Sequence, residues 1–344
     1  MQNDFSLSNS DILKKQAYEI IVIFISICTF LILQCIRHQH PIIANMSSAE
    51  KKSSKVVLWS TPRSVSTALT KCLSFVPNSA IWFEPYVSAM IHGSDAREVE
   101  VPASQAEADP DIFTQARQII IPDGVGFDAD KCSYKWCQEQ LEIDYPGKSV
   151  VFVQAKCTAI ATRFDAIPRG YKHSFLIRNP LKVLPSWKRA IYKVEKPDTA
   201  LETFTLSQQS QLSPRFFFKE TYDLYQHIKE NYESDPIILD ADDLLMNPGK
   251  VLKAYCNAMD IPYTDDLLHW DQSDDVIMTW NVRSILLKLQ QLDAFTFYDK
   301  AFTSSEFLKP STGPSREDLT EDDLQCIDFS MPYYEKMYDK RLVC

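Results

Sequence analysis

From residue 56 onward, two patterns of hydrophobic positions alternate along the chain. Short apolar runs have the length and β-branched content of buried strands, and the segments between them have apolar positions at helical spacing. The predicted strands are residues 56–59, 80–83, 150–153, 174–177 and 236–239. Strands alternating with helices predict an α/β fold class, a three-layer α/β/α architecture with a central parallel sheet.

Helices are predicted at residues 66–75, 180–192 and 248–259, and residues 199–230 are predicted to be mostly helical. The chain from residue 265 onward has no clear period and many aromatic residues, and it is predicted to be irregular. A polar, acidic segment with Pro, at residues 93–111, predicts a surface excursion.

The amino-terminal region contains an apolar segment, residues 20–36, without a charged residue. A membrane-crossing helix needs about 20 apolar residues and at least about 17, so this segment is a candidate single transmembrane segment. The predicted organisation is a tail at 1–19, the candidate transmembrane segment at 20–36, a linker at 37–54 and one domain at 55–344.

Two interpretations of this region stay open. Lys14 and Lys15 favour a cytosolic amino terminus, whereas Arg37 and the lysines after it favour the opposite orientation. Met46 begins a polar stretch that is also typical of the start of a soluble protein. The expected location is therefore a membrane, as a single-pass protein of the Golgi type for example, or the cytoplasm if translation starts at Met46.

Composition narrows the class of partner. The 344 residues are 45% hydrophobic and 24% charged, which is an ordinary globular composition. The formal net charge is −10, and because nucleic-acid binders are more often basic, no nucleic-acid partner is predicted. The phosphate-binding pattern GxxxxGK(S/T) is absent, which disfavours an ATP-using kinase of the P-loop type.

The first chemical motif covers residues 60–67, Ser-Thr-Pro-Arg-Ser-Val-Ser-Thr, and follows the first predicted strand. Free amides at the start of the next helix, together with the helix dipole, favour an anion such as phosphate. Ser64, Ser66 and Thr67 can add hydroxyl donors, and Arg63 can add a charged one. The same residue types are also common at the start of an ordinary N-capped helix.

The second motif consists of Arg178, Pro180 and Ser186. Arg178 ends a predicted strand, and Ser186 lies two turns along the next predicted helix, where its hydroxyl can face the strand end. The two groups together can hold a second phosphate. The alternative is that Arg178 pairs with a carboxylate.

The two motifs resemble the sulfotransferase superfamily, P-loop-like enzymes that use PAPS (3′-phosphoadenosine-5′-phosphosulfate). Residues 60–67 resemble the family pattern (T/S)-x-P-(K/R)-(S/T)-G-(S/T)-(S/T) for the 5′-phosphosulfate, and Arg178, Pro180 and Ser186 match R-x-P-x5-S for the 3′-phosphate. Residues 238–248 are similar to a third family segment, a strand followed by EDL-x-x-x-P and a helix.

The resemblance covers residues 55–262 and implies a P-loop NTPase-like fold with PAPS as co-substrate and no metal ion. It implies an acceptor that is a small molecule or a carbohydrate, and no sequence feature indicates an oligomeric state. The residues it assigns to the nucleotide are Pro62, Arg63, Ser64, Val65, Ser66, Thr67, Arg178 and Ser186.

Three departures separate the chain from the cytosolic steroid and phenol enzymes. Val65 stands where the family has Gly, so the loop backbone is expected to run differently there. Residues 156–158 read Lys-Cys-Thr where cytosolic members have Lys-Thr-His, and the carboxy-terminal RKGxxG segment is absent. The chain is closer to carbohydrate-type and bacterial members, which have a Glu in an FEP-like sequence, here residues 83–85.

The resemblance implies that Glu84 accepts the proton of the acceptor and that Arg63 stabilises the leaving 5′-phosphate. A structural carboxylate is the alternative for Glu84, and Lys156 contacts either the transferring sulfuryl group or a surface carboxylate. The implied function is in-line transfer of the sulfuryl group from PAPS to an acceptor hydroxyl or amine. The alternative is a non-catalytic sulfotransferase-like domain that binds a nucleotide or a protein.

Overall fold

A computed structural model describes residues 53–92, 131–161, 163–195, 200–207, 216–273, 275–283 and 297–344. Lys52–Cys344 forms one compact unit. The predicted tail, the candidate transmembrane segment at 20–36, the Met46 start and the surface excursion at 93–111 lie outside the described residues. In the part of the chain that is described, no helix has the length and apolar character that crossing a bilayer requires.

Within the described residues, five parallel strands form the central sheet, in the order β2-β3-β1-β4-β5. Their bounds are β1 (Ser54–Ser60), β2 (Ser79–Phe83), β3 (Val150–Lys156), β4 (Lys172–Ile177) and β5 (Ile237–Asp240). Each predicted strand is confirmed, and β1 lies at the centre because it pairs in parallel with both β3 and β4. The order places the carboxyl ends of β1, β3 and β4 side by side, where α/β sheets bind ligands.

Helices cover both faces of the sheet, which confirms the predicted three-layer α/β/α fold. They are α1 (Ser66–Ser74), α2 (Pro85–His92), α3 (Tyr134–Glu142), α4 (Cys157–Ile160), α5 (Pro180–Glu195), α6 (Phe217–Asn231), α7 (Ala241–Met246), α8 (Pro248–Ala258), α9 (Asp299–Phe302) and α10 (Glu321–Tyr338). Short 3-10 helices lie at Phe164–Ala166, Leu201–Thr203, Asp265–Leu268, Asp275–Thr279 and Arg316–Asp318.

The core has two parts, one on each face of the sheet. Along β1, Val57 and Trp59 face a cluster with α2 to α6 and α10, and Val56 and Leu58 face a cluster with α1, α7, α8 and α9. All four side chains are fully buried. Burial on both faces explains why the strand reads as a continuous apolar run rather than an alternating one.

Two predicted regions differ from the structure. Among the described residues of the predicted segment 199–230, the long helix begins at Phe217 and ends at Asn231, whereas Leu201–Thr203 is a short 3-10 turn after which Phe204 is extended. The region after 265 is not irregular throughout, since it contains α10. Thr320 and Asp323 form a capping box at the start of α10, and the internal Pro332 weakens the helical signal in the sequence.

Candidate functional site

The loop from β1 to α1 presents backbone amides at the carboxyl end of the sheet. Among the described residues, the amides of residues 63–67 have no hydrogen-bond acceptor, and no side chain caps α1. Unpaired amides at a helix start, with the helix dipole behind them, attract an anion. The loop therefore has the local geometry that the sequence predicted for residues 60–67.

Val65 adopts a left-handed backbone conformation, with φ 62° and ψ 14°. For a β-branched residue this conformation is rare and costs about 1–3 kcal/mol. It is the conformation that glycine adopts without strain. Val65 was expected to make the loop backbone run differently from that of a glycine. Instead, Val65 adopts the backbone conformation that glycine favours, and the loop carries the strain of that conformation.

The hydroxyl groups of the loop have different surroundings. The Ser64 hydroxyl donates to the Thr61 carbonyl at 2.7 Å, inside the loop. The Ser66 hydroxyl accepts from Lys156 Nζ at 2.8 Å, and it therefore links the loop to the end of β3. Thr67 is buried on the first turn of α1, and Pro62 is buried in the loop itself.

Arg63 spans the space between the loop and α5. Its Nε donates to Ser186 Oγ at 3.1 Å, and its Nη1 donates to the Phe297 carbonyl at 2.8 Å. Its guanidinium carbon lies 5.7 Å from the centroid of the Phe297 ring. No carboxylate within the described ranges pairs with Arg63. A half-buried guanidinium with no counter-charge from these residues is suited to binding an anion.

Burial and the neighbouring cations disfavour the charged form of Arg63. Burial is the largest influence and lowers its pKa, the Tyr298 phenol acts in the opposite direction, and the neighbouring charges of Arg178 and Arg189 lower it further. A negatively charged ligand would relieve both the desolvation and the repulsion between these cations.

Arg178 contacts Arg63, which in turn contacts Ser186. The Nη1 of Arg178 donates to the Arg63 carbonyl at 3.4 Å, so the structure brings Arg63, Arg178 and Ser186 together. Arg178 also pairs with Asp242 at 3.2 Å, and Lys182 pairs with the other oxygen of that carboxylate at 2.8 Å. The carboxylate partner raised as an alternative for Arg178 is therefore present, but two cations share it.

Glu84 lies at the end of β2 with φ 50° and is almost completely buried. Its Oε1 lies 3.2 Å from Lys156 Nζ, and its Oε2 accepts from the Tyr298 hydroxyl at 2.6 Å. The contact with Lys156 is an ion pair, because the buried Oε1 accepts no hydrogen bond from the described residues. Lys156 contacts a buried carboxylate, so the interpretation of Lys156 as a partner of a surface carboxylate is wrong.

A network of polar side chains connects Glu84 to the loop between β1 and α1. Lys156 links the carboxylate to Ser66, and Gln154 Nε2 donates to Ser60 Oγ at 2.9 Å. Sequence reasoning missed Asp242, Lys182 and Tyr298. The acidic pair Asp242-Asp243 inside the third family-like segment was a visible signal, whereas nothing in the sequence relates Tyr298 to Glu84, 214 positions away.

The polar residues show no metal site: among the described residues, no group of three or more His, Cys, Asp or Glu side chains could hold a metal ion.

Comparison with known proteins finds sulfotransferases that are similar in sequence to this chain. The sulfotransferase ppzF of Metarhizium rileyi is 26% identical over 269 residues, which cover 66% of this chain and 76% of that protein. The chain resembles the sulfotransferase superfamily. The ppzF protein of Metarhizium majus is 31% identical over a shorter stretch of 107 residues. No family model matches the chain.

Other similarities are more distant. Branched-chain-amino-acid aminotransferase-like protein 2 of Arabidopsis thaliana is 24% identical over 219 residues, covering 62% of this chain and only 31% of that protein. Among solved structures, the sulfotransferase domain from the curacin biosynthetic pathway is 15% identical, covers 81% of this chain and 98% of its own, and has a TM-score of 0.39. The α/β fold stated above follows from the strand order itself.

Proposed function

We propose that the chain is a sulfotransferase that moves the sulfuryl group of PAPS to an acceptor hydroxyl or amine by in-line displacement. The observation that carries the proposal is the convergence of Arg63, Arg178 and Ser186 beside free loop amides and a buried carboxylate, Glu84. Similarity to a curated sulfotransferase supports the same reaction class. The acceptor is a small molecule or a carbohydrate.

The donor nucleotide carries negative charge at two positions, and the site offers positive charge at two positions. The loop amides and Arg63 would bind the 5′-phosphosulfate, and Arg178 with Ser186 would bind the 3′-phosphate. Arg178 and Lys182 share the single charge of Asp242, so this second cluster keeps one net positive charge. The charge balance therefore favours a nucleotide with phosphate groups at both ends of the ribose.

The transfer step needs a proton acceptor and a stabilised leaving group. A bond forms from sulfur to the acceptor oxygen or nitrogen while the bond from sulfur to the 5′-phosphate oxygen breaks, and the acceptor proton passes to Glu84. Arg63 and the loop amides would stabilise the charge that develops on the leaving phosphate. Lys156 lies between Glu84 and Ser66, where its charge can act on the group being transferred.

A non-catalytic nucleotide-binding domain is the second candidate, and a specific observation favours it. The Glu84 carboxylate is already engaged, by an ion pair from Lys156 to Oε1 and by a hydrogen bond from the Tyr298 hydroxyl to Oε2. Arg178 is likewise engaged by Asp242. In this case the protein would bind the nucleotide and transfer nothing.

Transfer from PAPS labelled with ³⁵S separates the two candidates. We expect the wild type to label at least one member of a panel of carbohydrates, steroids, phenols and tyrosine peptides. Thermal stabilisation by PAP, the product nucleotide, is expected in either case and serves as the binding control. Binding of PAP without labelling of any acceptor would overturn catalysis and favour the binding domain.

A further inference from the structure

A segment from the carboxy-terminal part of the chain contacts both halves of the site. We call residues 297–304 the strap. The Phe297 carbonyl accepts from Arg63, and the next side chain, Tyr298, donates to Glu84 Oε2. Two neighbouring residues of the strap therefore hold the anion-binding cation and the buried carboxylate.

The strap is firmly attached to the domain on its far side. Lys71, a fully buried residue of α1, donates from Nζ to the carbonyls of Phe302 at 2.5 Å and Ser304 at 2.9 Å. The indole of Trp270 donates to the same Ser304 carbonyl at 2.7 Å. Charge-assisted and buried hydrogen bonds of this kind keep a backbone in place.

The ring of Tyr298 has little freedom to move. It stacks on Phe302 with an interplanar angle of 17° and meets Phe83 edge to face at 74°. Burial and the nearby Glu84 carboxylate raise the pKa of Tyr298 well above its usual value. The phenol therefore stays protonated and remains a hydrogen-bond donor.

Lys156 and Tyr298 contact different oxygens of the Glu84 carboxylate. Lys156 Nζ lies 3.2 Å from Oε1 as an ion pair without hydrogen-bond geometry, and the Tyr298 hydroxyl donates to Oε2 at 2.6 Å, so rotation of the carboxylate about its own axis would break both contacts. An ionised carboxylate has about four lone-pair directions, which leaves directions open to a third partner. The contacts thus fix the plane of the group and leave part of it available.

We propose that Tyr298 is a positioning residue for Glu84, which orients the carboxylate toward the acceptor and itself touches no substrate. The inference rests on the proposed function. It predicts that the Tyr298 hydroxyl acts on the transfer step only through Glu84, and that the nucleotide is bound by other groups.

A double-mutant cycle tests the proposal. The variants are Tyr298→Phe, Glu84→Gln and the double variant, assayed with labelled PAPS and the acceptor that the panel identifies. Tyr263→Phe is the matched control, since the Tyr263 hydroxyl also donates to a carboxylate, Asp265, at 2.8 Å. PAP binding and the melting temperature are measured for every variant.

The expected result is a kcat about tenfold to a hundredfold lower in Tyr298→Phe, with the Kd for PAP changed less than about threefold. In the Glu84→Gln background the same substitution should change kcat less than about twofold, because its target is gone. Tyr263→Phe should behave like the wild type.

Three results would overturn the inference. An unchanged kcat shows that the hydroxyl has no role in the reaction, and an equal loss in both backgrounds shows that it acts independently of Glu84. A Tyr298→Phe protein that melts far below the wild type assigns the hydroxyl to the fold instead. A wild type that labels no acceptor is a separate outcome, which removes the proposed function and this inference with it.

Discussion

The pairing of Arg178 with Asp242 predicts opposite effects for two substitutions. Arg178→Ala should weaken binding of PAP, because it removes a charged donor and leaves the Asp242 carboxylate facing the 3′-phosphate. Asp242→Asn should strengthen PAP binding, because Arg178 and Lys182 then lack their shared counter-charge. A purely structural ion pair would not produce this reversal of sign.

The magnitude follows from the burial of the pair. The side chains of Arg178 and Asp242 are 13% and 23% exposed, so their charges are only partly screened. A hydrogen bond to a charged group contributes about 1.5–3 kcal/mol, which is about 10- to 150-fold in Kd for Arg178→Ala. The gain in Asp242→Asn should be smaller, about tenfold or less, because part of that charge faces solvent.

Isothermal titration calorimetry with PAP and with its 3′-dephospho analogue provides the assay. The difference between the two nucleotides isolates the 3′-phosphate, and both substitutions should leave binding of the analogue almost unchanged. Arg316→Ala is the matched control, since Arg316 pairs with Asp328 at 2.8 Å on the exposed surface. Equal losses for the two nucleotides in Arg178→Ala would refute the reasoning.

The remaining predictions concern turnover, stability and pH. Glu84→Gln should keep its affinity for PAP and lose about 10²–10⁴-fold in kcat, while the exposed Glu317→Gln changes neither, and near-normal transfer would place the base elsewhere. Lys188→Ala should lower the free energy of unfolding in urea by about 3–5 kcal/mol, because it leaves Asp323 charged and buried, and a loss below about 1 kcal/mol would contradict this. Burial raises the pKa of Asp240 to about 6, so the folded state binds this proton more tightly than the unfolded state does. Stability should therefore fall by up to about 3 kcal/mol between pH 4 and pH 6, and Asp240→Asn should flatten that part of the urea-unfolding profile.

The sequence contains enough local information for the sheet and for the two motifs. Strand positions are readable because residues of β1 are buried on both faces and form a continuous apolar run. Residues 60–67 and Arg178 are readable because each lies directly at the end of a strand. In a parallel sheet such ends meet at one edge, so local pattern and topology together predict the convergence.

Other elements are hidden from local pattern. The helix α10 begins with the Thr320 and Asp323 capping box, a visible signal, but its internal Pro332 and its aromatic residues make the segment resemble an irregular tail. The glycine-like backbone of Val65 cannot be read from its side chain, because β-branched residues normally avoid that conformation. Packing of the surrounding loop overrides the local preference.

The partners of the site residues were decided by the tertiary structure alone. Arg178 and its partner Asp242 are 64 positions apart in the sequence, and Glu84 and its partner Tyr298 are 214 positions apart. Contacts at such separations depend on how strands and loops return to the same edge of the sheet, which no local period encodes. The sequence therefore determined which charged groups lie at the strand ends, and the fold determined which of those charges are neutralised, because the Coulomb interaction depends on distance in space and not along the chain.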